Sequence, residues 1–171
     1  VNALKDPALN GIVLSSHDVT ELRQIESRVD DLPLLLREMS EAADFHQALE
    51  KTLKGLCQIA GWDYAEAWIP RPDGRFLECC PLWAGRDDFK EVRAVSEDLR
   101  IPPKVSLQGR VWSLGRSFWI EDIDERPDTT FFREDILQKA GVKTAFGVPV
   151  TANGKTEAVL VFFKMGRLAK Q

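Results

Sequence analysis

The side chains able to do redox or metal chemistry are few: cysteines at 57, 79 and 80, and histidines at 17 and 46. An attacking and a resolving thiol must approach within disulfide geometry, whereas neighbours on a strand point to opposite faces. Cys79 and Cys80 sit in a stretch with strand character and make a poor redox pair. One is expected in the core as a small hydrophobe and the other half exposed. His17 and His46 lack a ligand partner at helical spacing, so no haem or metal centre is expected. The acidic run Glu121, Asp122, Asp124, Glu125 and Asp128 lacks the mid-loop glycine and closing bidentate glutamate of an EF-hand loop and reads as a solvated loop. No Ser–His or Cys–His grouping suggests nucleophilic catalysis, so no catalytic residue is assigned. What remains is an aromatic-rich middle: Trp83, Trp112, Phe118, Trp119, Phe131, Phe132 and Phe146. Its plain role is core filling, and it is also the candidate lining of an apolar ligand pocket.

The bulk properties narrow the partners. A net charge of −4 in 171 residues supplies no basic field for nucleic acid or anionic lipid. No apolar run approaches the ~20 residues needed to span a bilayer, and no signal peptide is read at the start. Three cysteines do not make a disulfide framework. The expectation is a cytoplasmic protein with reduced thiols.

The elements that must position these residues follow from periodicity. Residues 11–14 read as a short strand after the turn chemistry of "DPALNG". Asp18 or Thr20 can cap a following helix. Its apolar positions Leu22, Ile25, Val29, Leu32, Leu36, Met39 and Ala43 alternate spacings of three and four, a heptad seam that suits packing against a second copy. Pro33 should kink this helix, yet the phase is kept across it. Asp44 and Gln47 form a capping box for a helix whose stripe is Phe45, Leu49, Leu53, Leu56 and Ala60, with Gly61 as its stop. "DYAEAWIP" (63–70) and "RFLECCPLW" (75–83) read as a hairpin around "RPDG". Charged residues follow, with a weak helical pattern in Phe89, Val92, Val95 and Leu99, then a helix at Leu107, Val111 and Leu114 closed by Gly115. A short strand covers 117–123 and a helix 129–141. Two apolar strands flank "ANGK", where Asn153-Gly154 is the strongest hairpin signal in the chain. Strand pairs around a block of short helices indicate an α+β fold, an antiparallel sheet with helices on both faces.

Three blocks, "GWDYAEAWIPRPDGRFLECC" (61–80), "LQGRVWSLGRSFWIEDI" (107–123) and "AGVKTAFGVPVTANGKTEAVLVFF" (140–163), resemble the GAF domain family, in particular GAF domains of bacterial, especially cyanobacterial, multidomain signalling proteins. The "DVTE" of Asp18-Val19-Thr20-Glu21, after the strand at 12–14, resembles the end of a PAS domain where its sheet passes into a signalling helix. The organisation these resemblances imply is a PAS C-terminal remnant strand at 1–18, a signalling or linker helix at 19–43 and a GAF domain at 44–171. They also imply a fold: a GAF-like sheet preceded by a long linker helix.

The resemblance further implies what the domain binds or relays. A covalently held bilin needs a cysteine near the helix before the late hairpin, and "REDILQKAG" carries none, so no cofactor is expected. The Asn-Lys…Phe…Asp-Glu arrangement of cyclic-nucleotide GAF domains is not found. A branch resembling GAF domains reduces free methionine sulfoxide with cysteines, a reading that Cys79 and Cys80 disfavour. The expectation is therefore a non-enzymatic sensor or relay domain of a two-component system. It would form a homodimer through Leu22, Ile25, Val29, Leu32, Leu36 and Met39. An upstream PAS domain and a downstream histidine kinase or response regulator output would lie in the same chain. The alternative is a receptor for a small molecule or chromophore.

Overall fold

The computed structural model describes residues 12–13, 45–125 and 133–166. The expected linker helix 19–43, with its seam from Leu22 to Met39 and its kink at Pro33, lies outside the described residues, as do Phe131 and Phe132. In chain order the elements are β1 (Ile12–Val13), α1 (Phe45–Ala60), β2 (Tyr64–Pro70), β3 (Leu77–Gly85), α2 (Lys90–Asp98), β4 (Arg100–Ile101), α3 (Ser106–Leu114), β5 (Phe118–Ile120), α4 (Glu134–Lys139), β6 (Val142–Ala152) and β7 (Lys155–Met165). Single 3₁₀ turns at Asp87–Phe89 and Ile123–Glu125 complete the path.

The turn residues do what their chemistry requires. Asn153 and Gly154 have φ of 52° and 77°, both positive as a type I′ turn demands, and they fold β6 back on β7. Gly61 and Gly115, at φ of 68° and 58°, take the left-handed conformation that ends α1 and α3. Strand pairing is antiparallel throughout the named strands, in the order β1-β6-β7-β2-β3-β4, with β5 on the same flank of β6 as β1. This is the α+β sheet with helices on both faces that the sequence leads one to expect.

β2 lies between β7 and β3 and is buried from Tyr64 to Trp68 on both sides. On one face α1 packs Leu49, Leu53, Leu56 and Ala60 against Ala65, Ala67, Cys80 and Ala84, in a core that continues into Phe146, Leu160 and Phe162. On the other, α2, α3 and α4 cover Tyr64, Trp68, Val159, Val161 and Phe163 with Val92, Leu107, Val111 and Leu137. α3 approaches β6 closely where Gly147 has no side chain; a Cβ there would come within 2.8 Å of Val111 Cγ2.

β3 carries an irregularity beside the centre of β2. Glu66 pairs with Trp83 and Trp68 with Cys79, so Cys80, Pro81 and Leu82 all oppose the single residue Ala67. Proline is tolerated at such a bulge because no ladder donor is needed there. An excess of two residues preserves side-chain parity. Cys79 and Trp83 therefore keep facing the α2 side, and Cys80 the α1 side.

Candidate functional site

β2 places Tyr64, Glu66 and Trp68 on one face, because alternate residues of a strand share a side. That face is covered by helices, and the middle residue is a glutamate with no exposed surface. A buried carboxylate must be paired and hydrogen-bonded, and Glu66 is both. Its Oε1 accepts from Trp68 Nε1 at 2.7 Å and its Oε2 from the Tyr64 hydroxyl at 3.1 Å. Arg133, just before α4, supplies the counter-charge. Its Nη1 donates to Oε2 at 3.0 Å and its Nη2 to Oε1, a bidentate ion pair.

The guanidinium is enclosed on every side that the described residues form. Its carbon lies 5.6 Å from the centre of the Trp68 ring and 5.4 Å from that of Phe163, both within cation–π range. Nη1 also donates to Ser96 Oγ, which lies 2.6 Å from the Val92 carbonyl and 3.2 Å from Glu66 Oε2. Tyr64 stacks on Phe89 with ring centres 5.0 Å apart. Burial, with the Glu66 carboxylate adding to it, pushes the Tyr64 phenol well above its usual range. Its proton is therefore held for donation to Glu66.

Beside this pair, Arg93 on α2 donates from Nη1 to Cys79 Sγ at 3.1 Å and from Nε to Glu97 at 3.0 Å. Two guanidinium groups near a thiol would ordinarily favour thiolate. Here burial comes first and the Glu66 carboxylate second, and together they raise Cys79 despite Arg93 and Arg133. Burial likewise pushes Cys57 up to about 12 and raises Cys80. The sheet itself separates Cys79 from Cys80, as alternation requires.

A family model for the GAF domain matches residues 44–168. The chain belongs to the GAF family. No curated protein sequence matches it. Several solved structures share its fold. The free methionine-R-sulfoxide reductase from Neisseria meningitidis, in complex with its substrate, has a TM-score of 0.63 at 18% identity, over 92% of this chain and 82% of that one. The GAF domain from a phosphoenolpyruvate-protein phosphotransferase (ptsP) of Coxiella burnetii has a TM-score of 0.65 at 17% identity, over 90% and 84%. The A. aeolicus nlh2 GAF domain in an inactive state has a TM-score of 0.64 at 16% identity, over 86% and 83%.

In this GAF domain the described aromatic candidates are divided between the two faces of the sheet. Trp83, Trp112 and Phe118 are half-buried on the α2–α4 face. Trp119 and Phe146 lie on the α1 face, where their ring centres are 5.5 Å apart and Trp119 meets Trp62 edge-on at 5.6 Å. Of the acidic run, Asp122 is buried and its Oδ1 accepts from the Asp124 backbone N–H at 3.0 Å, while Asp124 pairs with Lys143; Asp128 lies outside the described residues. Among the described residues no group of three or more His, Cys, Asp or Glu side chains is placed to hold a metal, and His46 is exposed on α1. Tyr64, Glu66, Trp68, Ser96 and Arg133 were not singled out from sequence. The signal that could have found them is the lone charge in "YAEAW", a glutamate flanked by apolar residues on a strand whose neighbours are also apolar.

Proposed function

We propose that this GAF domain is a regulatory sensor or relay module of a two-component-type signalling protein in the cytoplasm. It works as a homodimer joined through the 19–43 segment, between an upstream PAS domain and a downstream histidine kinase or response regulator output. One feature of β2 carries the reading. Glu66 faces the ion-paired site while Ala65 and Ala67, on either side of it, face α1. A change in the pairing of Glu66 would therefore act on the strand on which α1 rests. α1 begins at Phe45, directly after the expected seam. A packed helix with two alternative settings is the kind of element that such a bias can switch.

A non-enzymatic role is supported by the thiols. They are raised by burial, and the adjacent pair is split between the two faces of the sheet. Among the described residues no helix is long and apolar enough to cross a membrane. The decisive experiment is sedimentation of the 171-residue chain beside a variant carrying Leu22→Glu, Ile25→Glu and Val29→Glu. The expected result is a dimer for the parent and a folded monomer for the variant. A parent chain that stays monomeric at high concentration overturns the proposal.

A further inference from the structure

The Glu66 site is asymmetric in what holds it. Tyr64, Glu66 and Trp68 come from β2, Phe163 from β7 and Ser96 from α2. The strands are locked by ladder hydrogen bonds on both sides, and α2 by its own helical bonds. The cation alone comes from elsewhere. Arg133 precedes α4, a helix of six residues whose N-terminus has no side-chain cap. Withdrawing Arg133 with α4 would leave the carboxylate, both indole and phenol donors and the two ring faces standing. What would remain is a buried negative charge lined by flat aromatic surfaces, with two carboxylate oxygens set for a planar, forked donor.

We infer that this cage is a binding site for a small molecule bearing a guanidinium group, and that Arg133 is its built-in occupant, displaced when the ligand binds. The chemistry discriminates among cations. The two-point contact of Arg133 Nη1 and Nη2 with the two oxygens of Glu66 needs a fork, which a guanidinium has and an ammonium lacks. The ring centres at 5.6 and 5.4 Å reward a delocalised cation lying against them. Neutral or anionic molecules would leave Glu66 uncompensated. Binding would also loosen the start of α4, which Arg133 ties to the sheet, while Leu137 holds the helix by its apolar contact. The inference names the input of the proposed sensor and rests on that reading for its purpose, whereas the binding itself does not depend on dimerisation.

The test uses methylguanidinium chloride and agmatine as probes on the 171-residue chain, with methylammonium chloride at equal ionic strength as the control. The Arg133→Ala variant should gain thermal stability saturably with methylguanidinium and not with methylammonium. Its affinity should exceed that of the parent by roughly tenfold or more, because the internal competitor is gone. The double variant Glu66→Gln, Arg133→Ala should not respond. In the parent chain, which needs no substitution to fold, agmatine should speed hydrogen exchange across residues 134–139. A response equal to that of the control salt, an equal response in the double variant, or unaltered exchange in α4 of the parent would each overturn the inference. A monomeric protein that still binds methylguanidinium through Glu66 would keep it and remove only the relay.

Discussion

The two faces of the sheet are equally dry and are held by opposite means. Under α1 the contact is apolar against small: Leu49, Leu53, Leu56 and Ala60 on Ala65, Ala67, Cys80 and Ala84. Each contributes a share, and trimming one leaves the others in place. Under α2 and α4, the centre of the face is a carboxylate and a guanidinium that are each tolerable only because of the other. The apolar face spreads its stability over many positions. The polar face concentrates its stability in one pair, and concentration is what allows a site to switch.

The sharpest way to break that comparison is to remove one partner. Arg133→Ala should cost about 3–5 kcal/mol, measured by urea denaturation, because Glu66 is left buried and unpaired. The double variant Glu66→Gln, Arg133→Met should recover most of the loss, since a neutral pair of similar size needs no counter-charge. If Arg133→Ala costs under about 1 kcal/mol, the pair resembles a surface ion pair in strength and the contrast between the faces fails.

This difference also governs what could be read in advance. The apolar face was legible because it is local: the stripe of α1 repeats at helical spacing, Gly61 ends it, and Asn153-Gly154 fixes the register of the longest strand pair. Expectation and structure agree there within a residue or two. The middle helix was harder. Phe89 and Val92 are buried as the pattern implies, but the stripe continues through Arg93 and Ser96 rather than Val95 and Leu99, because the face it meets is polar. The Glu66–Arg133 pair spans 67 positions in the chain, and no periodicity connects residues so far apart. The division of the described aromatics between the faces was hidden for a simpler reason. Phe118 and Trp119 are neighbours on β5, so alternation sends them to opposite faces, and a list ordered by sequence hides that.

Alkaline pH probes both faces at once and should have an intermediate effect. Cys57 lies on the α1 side, and burial followed by Asp63 pushes it up to about 12 from the ordinary thiol value of 9.0. Tyr64 and Cys79, on the other side, are also raised, by burial first and by Glu66 second. A group whose folded value lies above its unfolded one stays protonated in the native state while the unfolded chain ionises. Its stabilisation is complete below the unfolded value and is lost as pH rises towards the folded one. Unfolding free energy should therefore fall once pH passes 9.0 for the two thiols and 10.0 for Tyr64, on the order of 1 kcal/mol per pH unit for each such group. Urea titrations on either side of those values test this, and Cys57→Ala should remove one group's share of the slope and leave the remainder. A flat profile would mean that the interior admits water more freely than its packing implies.

The smallest effect gives the cleanest control on the first. Glu50 and Lys54 are the same kind of partners as Glu66 and Arg133, a carboxylate and a cation 2.6 Å apart one turn along α1. Their side chains are 42% and 57% exposed, so water screens the attraction and each charge is content without the other. A double-mutant cycle with Glu50→Ala and Lys54→Ala should return a coupling of about 0.3–0.5 kcal/mol, shrinking with added salt. The same cycle at Glu66 and Arg133 should return several kcal/mol and scarcely notice salt. The chemistry of the two pairs is nearly identical, so a gap between the couplings measures what burial in the sheet face adds. Equal couplings would mean that the interior pair is already hydrated, and with that the ground for a concentrated, switchable site would be gone.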